Sequence, residues 1–153
     1  MEFCEKNHGQ LHVLFGTLAW VGALIIFGGE PVRLFLVSVL GAYFPDADHL
    51  LFIFGYGRSA QYAIDSKKSF FEGGIPGFLR YVKKNHKGNT RIYSHNLLSL
   101  GLVIGLSVWS VLSGNRIFGV FFFSWSLHYV FDILEDLLFF GKLNGNWWLR
   151  FGK

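Results

Sequence analysis

The stretch that decides the fold is Val32 to Phe54, VRLFLVSVLGAYFPDADHLLFIF. Almost all of it is apolar, yet the run Pro45 to His49 places two carboxylates and an imidazole inside it. Ionisable groups in a segment apolar enough to enter lipid are costly, and by default they mark a functional site in which the charges are paired. We therefore expect the rest of the chain to supply partners for Asp46, Asp48 and His49.

The composition is that of a membrane protein. Hydrophobic residues make up 52% of the 153 residues and charged residues only 16%, whereas soluble domains carry about 25% charged residues. A bilayer span needs about 20 mostly apolar residues. Four segments approach that length: Leu11 to Gly28, Val32 to Phe44 with its continuation through Phe54, Leu97 to Leu112 and Ile117 to Phe140. We predict an all-α, polytopic bundle of about four transmembrane helices, forming a single domain over residues 1–153.

The basic residues indicate the orientation of this bundle. Most of them lie in the polar segment Gly57 to Ser94 and in the tail after Phe140, while the two opposite connections hold only Arg33 and Arg116. The positive-inside rule then places both termini and the polar segment in the cytoplasm, in a multi-pass protein of the cell (inner or plasma) membrane. We interpret the net charge of +4 as this topology signal. Without a recognisable stacking or groove-reading motif, no nucleic-acid binding is expected.

The segment Gly57 to Ser94 is too long for an ordinary connector. Between Lys67 and Lys84 its apolar residues, among them Phe70, Phe71, Phe78 and Leu79, alternate loosely with four lysines and Arg80. This mixture is typical of an interfacial helix lying on anionic headgroups, and equally of a long, solvated, basic cytoplasmic loop. The sequence leaves both structures open.

Pro45 is expected to break the second span. Proline lacks an N–H donor, and it pushes the preceding residue out of the helical region. Irregular backbone survives at membrane depth only where protein or a water-filled cavity surrounds it. The acidic run is therefore expected to line a cavity.

The clearest chemical pair is His128 with Asp132. Residues four apart on a helix share a face, and an imidazole and a carboxylate so placed can bind one divalent cation together. A hydrogen-bonded pair without metal is the alternative. Glu135 and Asp136 continue the same helix as ligands, as partners that orient a histidine or as interfacial charges, and we favour the last two. Cys4 is the only cysteine, so a thiolate metal site is not expected.

The predicted topology brings the ionisable residues to one end of the bundle. His12 and His95 fall at the cytoplasmic starts of the first and third spans, Asp46 to His49 lies toward the cytoplasmic end of the second, and Asp132 lies in the cytoplasmic half of the fourth. Capping would explain one aspartate after the proline. It explains two aspartates and a histidine poorly, so the convergence favours a site.

These residues resemble the motifs of a membrane-bound, metal-dependent hydrolase-like family, the YdjM-like, LexA-binding inner-membrane proteins. That family shows an early histidine before a small-residue helix, a Leu-Pro-Asp-Ile-Asp-His motif, a His-Arg-x-x-Thr-His-Ser/Asn motif and a late His-x-x-x-Asp. This chain has the corresponding stretches in the same order: His12 to Gly16, Phe44 to His49, Arg91 to Leu98, and His128 to Asp132. The resemblance covers most of the chain.

One position departs from the family pattern. Thr90 stands where the third motif has its first histidine, and His86 lies four residues earlier. Either His86 replaces that histidine through a shifted loop, or one metal position lacks a ligand and the chain has kept the scaffold without the activity.

The resemblance implies a metal site made of seven residues. They are His12, Asp46, Asp48, His49, His95, His128 and Asp132. Seven ligands exceed what one tetrahedral ion needs, so two ions, or one ion with further residues that orient its ligands, are implied. Zinc is the first candidate for this mixed nitrogen and oxygen set, with manganese and iron as alternatives.

The implied activity is hydrolysis of a phosphoester or ester by a metal-activated water. The family's distant similarity to the all-helical zinc phospholipase C and nuclease group points to phosphoesters, by analogy of fold alone. Asp46 or Asp48 would be the general base, and the planar fork of Arg91 would hold an anionic substrate. The expected partners are the lipid bilayer and a phospholipid or other phosphoester substrate.

The alternative belongs to another class, a non-catalytic metal-binding membrane protein. It would act as a small carrier or as a regulatory anchor for a cytoplasmic protein partner. A carrier should place polar residues through the whole thickness of the bundle, whereas Trp20 to Phe27 and Leu102 to Leu112 are nearly free of ionisable groups. This pattern disfavours the carrier.

Overall fold

The described part of the chain folds into a set of helices. The computed structural model describes the backbone of residues 2–85 and 92–148 and the side chains of residues 10–26, 28–85 and 92–148. The helices are α1 (Glu2–Phe27), α2 (Pro31–Tyr43), α3 (Ala47–Leu51), α4 (Gln61–Asn85), α5 (Leu97–Leu112) and α6 (Arg116–Phe140). The described part of the chain contains no strand, so the predicted all-α class is confirmed.

Within the residues that the structure describes, two helical stretches are long and apolar enough to cross a membrane, Pro31–Tyr56 and Arg116–Phe140. Two further apolar stretches accompany them, Gln10–Ile26 within α1 and Leu97–Leu112. These four stretches coincide with the four apolar segments of the sequence. The number of membrane crossings stays a prediction.

Helix α6 is the centre of the bundle, since it packs against α1, α2 and α5. Small residues let the helices approach closely. A Cβ added to Gly41 of α2 would overlap the Phe121 carbonyl oxygen of α6. The Ser38 hydroxyl donates to the Gly16 carbonyl at 2.5 Å, and the Ser124 hydroxyl donates to the Ser38 carbonyl at 2.6 Å. Small residues and interhelical hydrogen bonds of this kind are typical of helix packing in membranes.

Pro45 does not break the second span, so that expectation is wrong. It lies buried in a 3₁₀ turn, Phe44–Asp46, that joins α2 to α3. At the start of a helical turn the missing N–H has no intrahelical acceptor to lose, so proline is tolerated there. A π-helical turn, Phe52–Tyr56, follows α3. The helical path therefore continues through the acidic run and changes its winding there.

The segment Gly57 to Ser94 is helical over most of its length, so a loop is the wrong prediction for Gln61–Asn85. Only the backbone at Gly74, with φ 61° and ψ −157°, leaves the helical region inside α4. Such dihedrals are accessible almost exclusively to glycine. Gly74 thus divides α4 into two arms, residues 61–73 and 75–85.

The two arms fold back on each other, and we call this unit the α4 hairpin. The Tyr81 hydroxyl of the second arm donates to Asp65 of the first at 3.3 Å, whereas a straight helix would place these residues about 24 Å apart. Burial, together with the Asp65 carboxylate, raises the pKa of Tyr81. The phenol therefore remains a donor at neutral pH.

Candidate metal centre

Six ionisable side chains from five segments meet at one end of the bundle. They are His12 on α1, Asp46 in the 3₁₀ turn, His49 on α3, His95 just before α5, and His128 and Asp132 on α6. They form two groups of three whose ligand atoms lie within 4.8 Å of one another. The first triad is His12, His128 and Asp132, all buried, and the second triad is Asp46, His49 and His95. Together we call them the six-residue cluster.

The two carboxylates connect the triads. Asp46 of the second triad places its oxygens 3.8 Å from His128 Nε2 and 3.9 Å from His12 Nε2. Asp132 of the first triad lies 3.2 Å from His128 Nε2 and 3.4 Å from His95 Nε2 through the same oxygen. Each carboxylate thus faces histidines of both triads, and the cluster is continuous.

The ring of His128 is oriented by the backbone. Its Nδ1 lies 2.7 Å from the Ala42 carbonyl oxygen, which can only accept, so Nδ1 carries the hydrogen. In the neutral ring Nε2 then directs a lone pair toward Asp132 and Asp46. A lone pair facing carboxylate oxygens is repelled unless a proton or a cation lies between them. The arrangement is therefore suited to one of these two.

His95 is held in a comparable way. Its Nδ1 lies 2.9 Å from the Ser94 hydroxyl, while its Nε2 faces Asp132. Metal-binding histidines are usually oriented in this manner, with one ring nitrogen on a hydrogen-bond partner and the other on the ion. The Ser94 hydroxyl can donate or accept, so it suits either tautomer of His95. Both histidines direct Nε2 toward Asp132.

The stacking of His12 on His128 disfavours protonation of both rings at once. Their ring centroids are 4.2 Å apart, and the rings are inclined by 13°. Two imidazolium rings at that distance would repel each other, whereas two neutral rings stack without a charge penalty. Imidazole nitrogens and carboxylate oxygens together suit zinc, manganese or iron. The residues present therefore fit a divalent cation.

Asp48 stands apart from both triads, although the motif had placed it among the ligands. Its Oδ1 accepts from the Tyr56 hydroxyl at 3.0 Å, and its Oδ2 accepts from the Ser94 backbone N–H at 2.8 Å. Residues two apart on a helix point in different directions, so Asp46 and Asp48 do not share a face. Asp48 instead connects the segment carrying His49 to the one carrying His95.

Arg91, the expected substrate-binding arginine, lies outside the described residues, as do His86 and Thr90. The roles predicted for Arg91 and for the Thr90 position stay predictions.

Glu135 and Asp136 are buried, so their interpretation as interfacial charges is wrong. Asp136 Oδ2 accepts from the Asn144 backbone N–H at 2.9 Å and from the Trp147 indole N–H at 2.8 Å. These bonds hold the chain that follows α6 against the bundle. Asp136 is therefore occupied with a structural contact.

The sequence interpretation missed three groups that support the site. The Tyr56 and Ser94 contacts to Asp48 join segments distant in sequence, and only the position of Ser94 directly before His95 hinted at a role. The Ala42 carbonyl oxygen that orients His128 has no sequence signal at all, because every residue carries a carbonyl. Such supporting contacts become visible only in three dimensions.

The cluster lies within the region of the chain that matches a known protein family. A family model described as YdjM inner membrane protein matches residues 8–141. The chain belongs to the YdjM inner membrane protein family. The resemblance drawn from the four motifs is thus confirmed, and the matched region of this YdjM family member contains all six cluster residues. No curated protein and no solved structure matches the chain. Membership makes the chain a membrane protein.

Proposed function

We propose that this YdjM family member is a membrane-bound hydrolase that uses two divalent cations to cleave a phosphoester or ester. The observation that carries the proposal is the six-residue cluster, in which two carboxylates lie between four histidines. Two-metal hydrolytic sites use donors of this kind. A bound divalent cation would supply the acidity that makes water a nucleophile near neutral pH. Zinc is the first candidate, then manganese or iron.

The ligand roles follow from burial and orientation. His128 and Asp132 would hold one cation together with His12, and Asp46 with His49 and His95 would hold the other. The second triad is the more accessible one, because Asp46 and His49 are only partly buried. It is therefore the side from which a substrate would approach.

Asp46 is the better candidate for the general base. Its side chain is 34% exposed, whereas that of Asp132 is 8% exposed. Both oxygens of Asp48 already accept hydrogen bonds, which disfavours Asp48 as ligand or base. A general base must reach the proton that it removes, and the greater exposure of Asp46 supports this role. Arg91 keeps its proposed role as the residue that binds an anionic substrate.

The proposed topology has four crossings with the cluster at the cytoplasmic face. Helices α1 and α5 would cross beside the two long apolar stretches, and the basic residues would keep both termini and the α4 hairpin in the cytoplasm. A site at that face opens toward the inner leaflet. The proposed substrate is therefore a phospholipid or another phosphoester that lies in or beside the lipid.

Metal content of the purified protein tests the centre of the proposal. We expect the His128→Ala, Asp132→Ala double variant to lose most of the bound zinc, manganese or iron found by elemental analysis of the wild type. The matched control is Asp65→Asn, which removes a carboxylate that lies on α4 and accepts from Gln61 and Tyr81. Equal metal content in the wild type, the double variant and the control would contradict the metal site.

Activity assays then separate the enzyme from its alternative. The wild type should hydrolyse phospholipid or phosphodiester substrates. This hydrolysis should stop when a chelator removes the metal and return when zinc or manganese is added back. Hydrolysis unaffected by the chelator would exclude the mechanism. Metal binding without hydrolysis would favour the non-catalytic alternative, a regulatory anchor or small carrier, which the threonine at position 90 in place of the family's histidine supports.

A further inference from the structure

The turn of the α4 hairpin presents large apolar side chains to its surroundings. Phe71 is 84% exposed and Ile75 is 65% exposed, and Phe70 and Leu79 are also exposed. We call these four residues the apolar tip. The hairpin is not among the candidate membrane spans, so crossing the bilayer does not account for their exposure. Contiguous exposed apolar patches of this kind mark contacts with a protein or a membrane.

Basic residues surround the tip on both arms. The hairpin has five basic residues against two acidic ones, and the basic residues are Lys67, Lys68, Arg80, Lys83 and Lys84. We call them the basic collar. The two acids are engaged within the hairpin, since Glu72 lies 3.8 Å from Lys68 and Asp65 accepts from Tyr81. The collar therefore has a surplus of positive charge next to the apolar tip.

An open groove along the hairpin adds a place for a phosphate group. Arg80 and Lys84 lie four residues apart on the second arm, so they share a face. They line a groove of 530 Å³ together with Ser69, which comes from the first arm. Glu72 also lines the groove, and its charge is offset by Lys68. A guanidinium, an ammonium and a hydroxyl are the donors that phosphate oxygens accept from.

Both arms of the hairpin pack against the cluster end of the bundle. Ala63 of the first arm and Phe78 of the second lie in one buried group with Phe52, Ile53 and Ile92. Phe52 and Ile53 follow His49 closely in sequence, and Ile92 comes shortly before the next cluster histidine. The tip and the collar are therefore presented in a fixed direction relative to the cluster.

We propose that the α4 hairpin is a membrane anchor whose apolar tip inserts into the bilayer interface while the basic collar binds the phosphates of anionic phospholipids. Apolar residues flanked by lysine and arginine have the composition of interfacial anchors, and a basic surface is attracted to an anionic leaflet. The charge of the collar favours a lipid surface over an uncharged apolar partner. The proposal is independent of hydrolysis, since it uses no residue of the six-residue cluster.

The depth of the tip in vesicles tests the anchor. The full chain, with Cys4→Ser as background, would carry a nitroxide label at Phe71→Cys or at Gln61→Cys, an exposed polar position at the base of the hairpin. It would be reconstituted in phosphatidylcholine vesicles with or without phosphatidylglycerol. With phosphatidylglycerol present, we expect the label at position 71 to be accessible to oxygen and shielded from a water-soluble nickel complex. The label at position 61 should show the opposite preference.

The charge requirement is tested by Arg80→Glu with Lys84→Glu in the Phe71→Cys protein. We expect the nickel accessibility of the label to rise several-fold in this variant and in vesicles without phosphatidylglycerol, with the helix content by circular dichroism unchanged. If the label at position 71 were as accessible to the nickel complex as the label at position 61, the anchor would be overturned. The apolar tip would then be a contact surface for a protein. If the depth of the label changed neither with the lipid charge nor with the two substitutions, the proposed contact with lipid headgroups would be overturned.

Discussion

Asp46 and Asp48 lie two residues apart and have different surroundings. Asp46 faces the ring nitrogens of His12 and His128, and Asp48 accepts hydrogen bonds from Tyr56 and from the Ser94 backbone. Because helical residues two apart diverge in direction, one aspartate enters the cluster and the other joins two segments of the backbone. A motif with two aspartates thus combines a chemical and a structural task.

Neutralising each aspartate should separate the two tasks. Asp46→Asn is expected to lower metal content and leave thermal stability in detergent nearly unchanged. Asp48→Asn is expected to keep the metal and lower stability, by about 1.5–3 kcal/mol for a weakened charged hydrogen bond. Elemental analysis and thermal unfolding of both variants measure the difference. The reverse pattern would show that the roles are exchanged.

The cluster residues themselves could be identified from sequence because they are chemically conspicuous. A histidine such as His12 or His95 beside an apolar span stands out, and the spacing of His128 and Asp132 predicts a shared face. The burial of Asp136 could not be identified in this way, since its partner Trp147 comes from a segment with no apolar span or motif to place it. A charged residue in an apolar segment can be recognised from the sequence, whereas the residue that pairs with it cannot.

At the scale of the helices, the contact of α2 with α6 holds the cluster together. Asp46 lies in the 3₁₀ turn that follows α2, and His128 and Asp132 lie on α6, so the distance between these helices sets the distance between the triads. The close approach at Gly41 and the Ser38 to Ser124 contacts lie on this interface. Small side chains here therefore matter for the site as well as for packing.

Gly41→Ala should push α2 away from α6. The added methyl would overlap the Phe121 carbonyl, and overpacking of this kind costs about 1–3 kcal/mol. The expected result is a lower melting temperature together with weaker metal retention. Gly22→Ala is the matched control, because a Cβ at that helical glycine meets nothing within 4 Å and alanine favours helix. If the two variants melted alike, the close contact would be without consequence.

The four apolar helices could be predicted well and the α4 hairpin could not. The ends of a long apolar run can be recognised in the sequence, because polar residues flank it. The segment from position 57 to 94 mixes charged and apolar residues without a clean period, because its arms pack on each other through a few residues such as Tyr81 and Asp65. Its turn depends on the dihedrals of Gly74, which glycine permits and does not require.

Gly74→Ala should therefore disrupt the hairpin turn. A residue with a Cβ at these dihedrals costs about 1–3 kcal/mol, so we expect faster backbone hydrogen exchange throughout residues 61–85. The neighbouring Gly73→Ala serves as the control, because its Cβ would meet nothing within 4 Å and its φ is not in the positive range. Unchanged exchange in Gly74→Ala would mean that the turn tolerates alanine.

At the scale of the molecule, the four apolar helices define two ends. The six-residue cluster and the base of the α4 hairpin occupy one end, and the connections at positions 28–30 and 113–115 occupy the other in the proposed topology. In that proposal, the positive-inside rule would place the first end in the cytoplasm. Labelling from outside the cell can therefore test the number and direction of the crossings together.

Single cysteines in the Cys4→Ser background provide this test. We expect Glu30→Cys and Ser113→Cys to react with a membrane-impermeant maleimide in cells in which only the outer membrane has been permeabilised. Ser59→Cys, between the second span and the hairpin, should react only after the inner membrane is broken. All three positions are exposed on the protein, so failure to react with the maleimide indicates the membrane barrier and not burial within the fold. Reaction of Ser59→Cys with the first two would refute four crossings.

The order in which the cluster residues lie along the chain has a consequence for biosynthesis. His12 and Asp46 leave the ribosome long before His128 and Asp132. In the proposed four-crossing topology, the first two helices would therefore enter the bilayer with polar groups whose partners are not yet made. Only the arrival of α6 completes the first triad, so metal capture would come late in synthesis and lock a bundle whose insertion is already finished.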